Sequence, residues 1–298
     1  FLSMRIIGHH IVRRRLQEMT AQAECPQSFL FVGPESIGKR LVALEFSWSL
    51  LGRGGEFSDR SEEELAHPDI MLLEPERITE KGKTREKNIP VEAIREAMNF
   101  LSRYPLVGQR RILIINDAHR LSRGAQNALL KTLEEPNPTS VLILVTHDPS
   151  ALLDTVHSRL QRTHFTFVSD PEMQTAFRLP SEQTFWYQLG RPGVVARALR
   201  EPEEFSTMRV LLGQLLRIGE LTQRDRMRLA EGFSKDSFSA LRMFAWWIPS
   251  LRQRALETDR PEVVRSTYTL LDRLVEMERI LRGTQANARL QMEKLFLN

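Results

Sequence analysis

Residues 29–40 read FLFVGPESIGKR and decide the fold. The four leading apolar residues predict a short buried strand, and residues 40–51 carry apolar side chains at helical spacing. Between them, two glycines let backbone N–H groups curve around phosphate oxygens, and a lysine reaches the terminal phosphates at a helix N-terminus. The order of strand, loop and helix therefore predicts a phosphate-binding loop. The alternative is a plain glycine turn.

This loop departs from the usual pattern at its last position, Arg40. Phosphate-binding loops carry Ser or Thr there, and the hydroxyl ligates Mg²⁺. Arginine is a permanent cation with N–H donors and no acceptor, so it repels Mg²⁺ rather than binding it. Phosphate contact is retained, but hydrolysis loses a metal ligand. The predicted degenerate nucleotide site includes Gly33, Gly38, Lys39 and Arg40.

The second half of such a site is an apolar strand that ends in acidic residues, and residues 111–119 read RILIINDAH. An intact acidic pair is Asp-Glu, whereas this chain has Asn116, Asp117 and Ala118. In either register one carboxylate is missing. The sequence therefore predicts a second defect in the catalytic site, with Asp117 either keeping a residual role or capping the strand end or the following helix.

Residues 115–122 (INDAHRLS) and 127–136 (NALLKTLEEP) form a long, specific motif. They resemble the bacterial clamp-loader branch of AAA+ proteins. The resemblance implies that Asp117 stands at the catalytic Glu position and Asn116 at the metal-binding Asp position. It also implies that Thr146 stands at a nucleotide-sensing position, for which an ordinary Thr at a strand end is the alternative.

A Ser-Arg pair at Ser158 and Arg159 matches the family's Ser-Arg-Cys motif, with Leu160 in place of Cys. The resemblance implies that Arg159 projects into the ATP site of a neighbouring subunit, where it stabilises charge on the transferring phosphate. A solvated surface arginine is the alternative. Gly193 occupies the position at which motor subunits carry a phosphate-sensing Arg. An altered phosphate-binding loop together with a retained Ser-Arg pair resembles the delta-prime subunits of the clamp-loader branch, and Gly193 agrees with an inactive member.

The resemblance implies a noncatalytic, delta-prime-like subunit of the DNA polymerase III clamp loader, with no ATPase activity of its own. Its partners would be the ATPase (gamma/tau) and delta subunits and, through the complex, the sliding clamp and primed DNA. An active AAA+ motor ATPase is the alternative function, and a P-loop protein of recombination or repair is a third. We expect that the chain requires no cofactor, and the sequence does not decide whether it binds ATP.

Apolar runs alternate with helical stretches up to residue 168, which is typical of a parallel sheet covered by helices on both faces. We therefore expect an α/β P-loop domain of AAA+ type at 4–168, a small helical lid at 169–203 and an all-α collar domain at 204–298. Residues 81–87 are expected to form a loop, and Leu270, Leu274, Met277 and Leu281 an apolar helix stripe. The predicted strands are 29–32, 70–73, 111–116, 141–146 and 164–168.

Composition limits the class of protein further. The chain has 298 residues, a formal net charge of +4 and a single cysteine, Cys25. One cysteine excludes both a disulfide framework and the four-cysteine zinc site of many relatives, so no zinc or other metal is expected. No apolar stretch has the length of a membrane span and no signal-peptide pattern is seen, which predicts a cytoplasmic protein with no membrane partner. The basic runs are not assigned to DNA.

Overall fold

The computed structural model describes residues 5–20, 25–53, 57, 66–80, 83–179, 187, 189–200, 221–233, 258–283 and 287–297, and scattered positions between 202 and 256. The strands are β1 (Ser28–Val32), β2 (Ile70–Leu73), β3 (Arg77–Glu80), β4 (Lys83–Glu86), β5 (Arg111–Ile115), β6 (Ser140–Thr146) and β7 (Gln161–His164). The helices are α1 (His10–Thr20), α2 (Lys39–Leu50), α3 (Val91–Leu101), α4 (Arg123–Glu134), α5 (Asp154–His157), α6 (Asp170–Ala176), α7 (Pro192–Arg200), α8 (Gln223–Phe233), α9 (Pro261–Gly283) and α10 (Ala288–Leu297).

The main sheet has five parallel strands in the order β2-β5-β6-β1-β7. β1 lies between β6 and β7. The loop that follows β1 therefore begins beside the carboxyl ends of both of these strands. β5 and β6, the two strands next to each other at the centre, are buried along their whole length. The predicted parallel five-stranded sheet is confirmed.

Helices cover both faces of this sheet, as the continuous apolar strands predict. Phe29 and Phe31 belong to the core that also contains the buried side chains of α2. Leu30, between them, points the other way and packs in the core with the buried side chains of α3 and α4. Successive side chains of a strand alternate between faces, so β1 contributes to both cores.

Helix α4 follows its sequence signals closely. The Ser122 hydroxyl accepts a hydrogen bond from the Ala125 backbone N–H at 3.1 Å, which caps the helix as predicted. Ala125, Leu129 and Leu133 are buried on one side. The helix ends before Pro136, which has no N–H to continue it.

Two strand predictions need correction. The fifth strand lies at Gln161–His164 and not at 164–168. It is an edge strand with mostly exposed polar side chains, so its pairing with β1 is not visible as an apolar run. Of the expected loop at 81–87, residues 83–86 form strand β4 instead, whereas 81–82 lie outside the described residues: β3 and β4 pair antiparallel, with Arg77 opposite Glu86 and 3.0 Å between Nε and Oε1. These short, charged strands lack the alternation of apolar and polar residues that predicts the strands of a hairpin.

The chain divides into two compact units. One comprises residues 1–76, 87–178 and 190–194, and contains the five-stranded sheet. The other comprises residues 77–86, 179–189 and 195–298. The predicted boundaries at 168 and 203 stay predictions.

The second unit has its own core. In it α8 packs against α10, and Met292 and Phe296 of α10 are buried. Leu274, Met277 and Leu281 of the predicted stripe on α9 are buried too, whereas Leu270 is half-buried. Within the described part of the chain, no helix combines the length and apolar character needed to span a bilayer.

Candidate functional site

The phosphate-binding loop connects β1 to α2 in a conformation that requires its glycines. A Cβ atom at Gly33 would lie 2.4 Å from the Phe165 carbonyl oxygen, so only glycine allows this close approach. Gly38 has a φ of 104°, in the left-handed region that glycine tolerates best. Ser36 also has a positive φ of 62°, which costs more for a residue with a side chain. The loop is therefore a tightly specified turn.

Lys39 is directed at the loop's own backbone. Its Nζ donates to the carbonyl oxygens of Gly33 and Pro34 at 2.7 and 2.6 Å, and only 7% of the residue is exposed. Burial lowers the pKa of Lys39 to about 8, although Asp117 and Glu35 act in the opposite direction. The Lys39 ammonium group thus donates to carbonyl oxygens of the loop. If a nucleotide were bound, its phosphate oxygens would take the place of these acceptors.

Arg40 and Asn116 are linked through Glu74. Nε of Arg40 lies 3.0 Å from Glu74 Oε1, and the Asn116 amide donates to the same oxygen at 2.9 Å. Glu74 directly follows β2, and Asn116 directly follows β5, its neighbour in the sheet. One carboxylate therefore bridges the Arg40 guanidinium and the NH₂ group of Asn116, both of which are hydrogen-bond donors.

Asp117 lies in an unusual backbone conformation. Its φ of 51° is left-handed, which Asp tolerates better than most residues. It precedes the short 3₁₀ helix Ala118–Arg120, and its side chain makes no capping hydrogen bond to that helix. Instead, its Oδ2 accepts from the Asn116 amide at 3.2 Å. Its carboxylate is also near enough to Lys39 to raise the pKa of that amine.

Thr146 ends β6 and is buried. Its hydroxyl donates to the Asp148 carbonyl oxygen and accepts from the Asp148 N–H, both at 3.0 Å. The same oxygen lies 3.4 Å from His119 Nδ1. The ring of His119 is 4.0 Å from that of His147, measured between centroids. Thr146 is thus joined to the segment that follows β5.

Gly193 contacts the phosphate-binding loop directly. Its N–H donates to the Ser36 carbonyl oxygen at 2.9 Å. A Cβ atom at Gly193 would lie 2.9 Å from that oxygen, closer than such contacts normally are. An arginine at this position, as in motor subunits, therefore requires the loop or the start of α7 to move.

Arg159 makes its described contacts away from the phosphate-binding loop. Its Nη2 donates to Glu134 Oε1 at 2.8 Å, and its Nη1 donates to the Thr155 carbonyl oxygen at 2.8 Å. About a third of the side chain is exposed, at 34%. The guanidinium is therefore held at the surface by α4 and α5.

The structure gathers most of the predicted nucleotide-site residues at the carboxyl ends of β1, β5 and β6. It leaves Arg159 outside this cluster. Sequence reasoning missed Glu74, His119 and His147, each of which follows a strand of the sheet. The signal was available, because in a parallel sheet such residues meet at one edge. Which of them touch could not be read from their positions in the chain.

The sheet order, the loop after β1 and the acid after β5 define a P-loop protein of AAA+ type. Two solved structures support this fold. A DNA polymerase III gamma subunit-related protein of Thermotoga maritima is 21% identical, with a TM-score of 0.50 over 95% of this chain and 97% of that one. The RuvB Holliday junction branch migration motor of Thermotoga maritima is 15% identical, with a TM-score of 0.50 over 86% of this chain and 90% of that one.

A family model described as "DNA polymerase III, delta subunit" matches residues 8–169, and the chain belongs to this family. It is 31% identical to the DNA polymerase III subunit delta' of Pseudomonas aeruginosa, over 73% of this chain and 63% of that protein. It is 37% identical to the subunit delta' of Escherichia coli, over 40% of this chain and 33% of that protein. The match thus spans less than two thirds of either relative. The resemblance to delta-prime subunits is confirmed.

Proposed function

We propose that this chain is a noncatalytic, delta-prime-like subunit of a bacterial DNA polymerase III clamp loader. The observation that carries the proposal is the bridge from Glu74 to Arg40 and Asn116. These are the two positions at which an active ATPase holds magnesium. In this chain the side chains of Arg40 and Asn116 both contact Glu74 through their nitrogen atoms, and neither position carries the hydroxyl or carboxylate of an active site.

Magnesium does not fit the site that these residues form. A cation at Arg40 opposes a divalent ion, and the Asn116 amide donates its N–H to Glu74 rather than offering a carboxylate. Lys39 and the loop keep the groups that contact phosphate, so binding of a nucleotide without hydrolysis remains compatible with the geometry. The chain would therefore lack the metal site that hydrolysis of a bound nucleotide needs.

The contribution of the chain to ATP hydrolysis would be made in trans by Arg159. Its guanidinium is presented at the surface, partly exposed and bound to the single carboxylate of Glu134. A surface ion pair of this kind contributes little to stability, so it is easily exchanged. In an assembly, the phosphates of a neighbour's ATP would replace Glu134, and the arginine would stabilise the charge that develops during phosphoryl transfer.

The partners follow from this role. ATPase subunits of the gamma/tau type would be the neighbours, since relatives named tau and delta' both match the chain. The delta subunit, the sliding clamp and primed DNA would be reached through the complex. The helices of 204–298 would hold the subunit in the assembly. A replication protein of this kind works in the bacterial cytoplasm, and we place it there as part of the proposal.

An active motor ATPase is the second candidate. The intact Gly33, Gly38 and Lys39 favour it, because they keep the geometry of a phosphate cradle. In that case Asp117 and water would have to hold the metal beside the Arg40 cation. The Glu74 bridge argues against this arrangement.

A measurement of Mg²⁺-dependent ATP turnover by the purified chain alone distinguishes the noncatalytic subunit from the active motor ATPase. It should be measured at high protein concentration, with Lys39→Ala as the control for contaminating ATPases. We expect no turnover above this control. Turnover that Lys39→Ala abolishes would establish a motor ATPase and overturn the proposed role.

A further inference from the structure

Three potential metal ligands converge at the carboxyl ends of β5 and β6. Asp117, His119 and His147 each offer one ligand atom, and these atoms all lie within 4.8 Å of one another. We propose that they form a binding site for a divalent transition metal of the Zn²⁺ class. The site goes beyond the proposed function and does not depend on it. It also differs from the expectation of no metal, which rested on the missing cysteines.

The sheet brings the three residues together. β5 and β6 are parallel neighbours, with Ile115 opposite Leu144. Asp117 and His119 belong to the turn that leaves β5, and His147 is the first residue after β6. The left-handed backbone of Asp117 makes that turn tight. All three residues are half-buried, so a metal ion from solution can reach their side chains.

The chemistry of the ligands selects the ion. Imidazole nitrogens suit Zn²⁺, Co²⁺, Ni²⁺ and Cu²⁺, whereas Mg²⁺ prefers an all-oxygen shell. Two histidines and one carboxylate leave a fourth tetrahedral position for water. Ligand atoms around tetrahedral zinc are about 3.3 Å apart, given metal–ligand distances near 2 Å. Because the ligand atoms lie within 4.8 Å of one another, closing the site requires them to approach by about 1–2 Å at most.

Neighbouring polar groups already orient two of the ligands. The Thr146 hydroxyl lies 3.4 Å from His119 Nδ1, and the Asn116 amide donates to Asp117 Oδ2 at 3.2 Å. Outer contacts of this kind hold ligands in position and tune metal affinity. The Lys39 ammonium opposes the ion, because Asp117 is near enough to act on it. This repulsion favours a site of moderate affinity.

The test is a calorimetric titration of the full chain with Zn²⁺, after EDTA treatment and without a polyhistidine tag. We expect a single equivalent to bind with a micromolar Kd. His119→Gln and His147→Gln should each weaken binding about tenfold or more, since each removes a ligand while keeping side-chain size. His164→Gln, at an exposed position on β7, is the matched control and should leave the Kd unchanged.

Absence of Zn²⁺ binding at millimolar concentration would overturn the site. So would an affinity that neither His119→Gln nor His147→Gln reduces. If those variants do not fold, the Co²⁺ spectrum of the unaltered chain decides: intense visible bands of tetrahedral Co²⁺ support the site, and the weak spectrum of hydrated Co²⁺ contradicts it. Because this test uses the isolated chain without ATP, its failure leaves the clamp-loader role untouched.

Discussion

Arg40 forms an ion pair with Glu74, with 3.0 Å between Nε and Oε1. Glu74 is an acidic residue that follows β2, and in the folded chain it lies beside the end of β5 as well. A fixed cation and its counter-charge thus lie at the end of the phosphate-binding loop, beside the ends of β2 and β5. Arg40 is therefore part of a connected polar arrangement with Glu74 and Asn116, and the proposed loss of a magnesium ligand at this position can be tested by reversing it.

Replacing Arg40 with Ser and Asn116 with Asp together should make nucleotide binding dependent on magnesium. The change removes the cation and restores two oxygen ligands. We expect ATP affinity in Mg²⁺ to exceed affinity in EDTA by about tenfold, measured by calorimetry. Arg40→Lys with Asn116→Asp keeps a cation and is the control. Equal affinity with and without Mg²⁺ in the double variant would show that the metal position is lost for another reason.

Arg159→Ala should lower ATP turnover by the reconstituted assembly about a hundredfold or more at the affected site, because a trans arginine stabilises the phosphoryl-transfer transition state. The chain itself should stay folded, since it loses only surface contacts, namely the ion pair to Glu134 and the hydrogen bonds to the Thr155 carbonyl oxygen and the Ser158 hydroxyl.

The matched control for this prediction is Arg162→Ala, which removes an exposed arginine of β7. It should leave turnover unchanged. An assembly that hydrolyses ATP at the normal rate with Arg159→Ala would refute the trans role.

Gly193→Ala should destabilise the unit that contains the sheet by about 1–3 kcal/mol, the usual cost of forcing atoms into a packed site. The new Cβ would lie 2.9 Å from the Ser36 carbonyl oxygen. Urea unfolding, followed by circular dichroism, measures the change. Gly213→Ala is the comparison, because nothing lies within 4 Å of a Cβ there. If both variants are equally stable, the contact between Gly193 and the loop is not tight.

Asp69→Asn should destabilise the chain by about 1–3 kcal/mol at neutral pH, because a buried charged acceptor is lost. Asp69 is fully buried and accepts from the N–H groups of Leu106, Val107 and Gly108 at 2.6, 2.8 and 2.8 Å. Burial alone would raise its pKa, but these hydrogen bonds, with Arg111 nearby, lower it.

The sign of the pH dependence follows from this lowered pKa. In the unfolded chain Asp69 binds a proton more readily than in the folded chain, so its stabilisation is present above about pH 4. It is lost as the pH falls through the lower folded pKa. Urea unfolding of both proteins at about pH 7, 5 and 3.5 should show the difference between them shrinking in acid. A constant difference would mean that Asp69 does not act through its charge.

Much of the fold could be predicted from local pattern. β1, β2, β5 and β6 lie within one or two residues of the predicted strands, because strands buried on both faces are continuous apolar runs. β7 and the β3–β4 hairpin were misjudged, since an edge strand and a charged hairpin bury little and carry no such signal. The candidate site was predicted as a set of residues, but not as a set of contacts.

The sequence by itself determined the phosphate-binding loop, the unusual residue types at Arg40 and Asn116 and the likeness to clamp-loader subunits, because these depend on residue type and spacing along the chain. Only the tertiary structure decided that Glu74 joins the two altered positions, that Gly193 packs on Ser36, and that His119 meets His147. These pairs are distant in sequence. Glu74 reaches Asn116, and His119 reaches His147, because parallel pairing brings the carboxyl ends of separate strands to one edge of the sheet, where the chain order no longer determines which side chains are neighbours. Gly193 reaches Ser36 through the start of α7, which packs on the phosphate-binding loop.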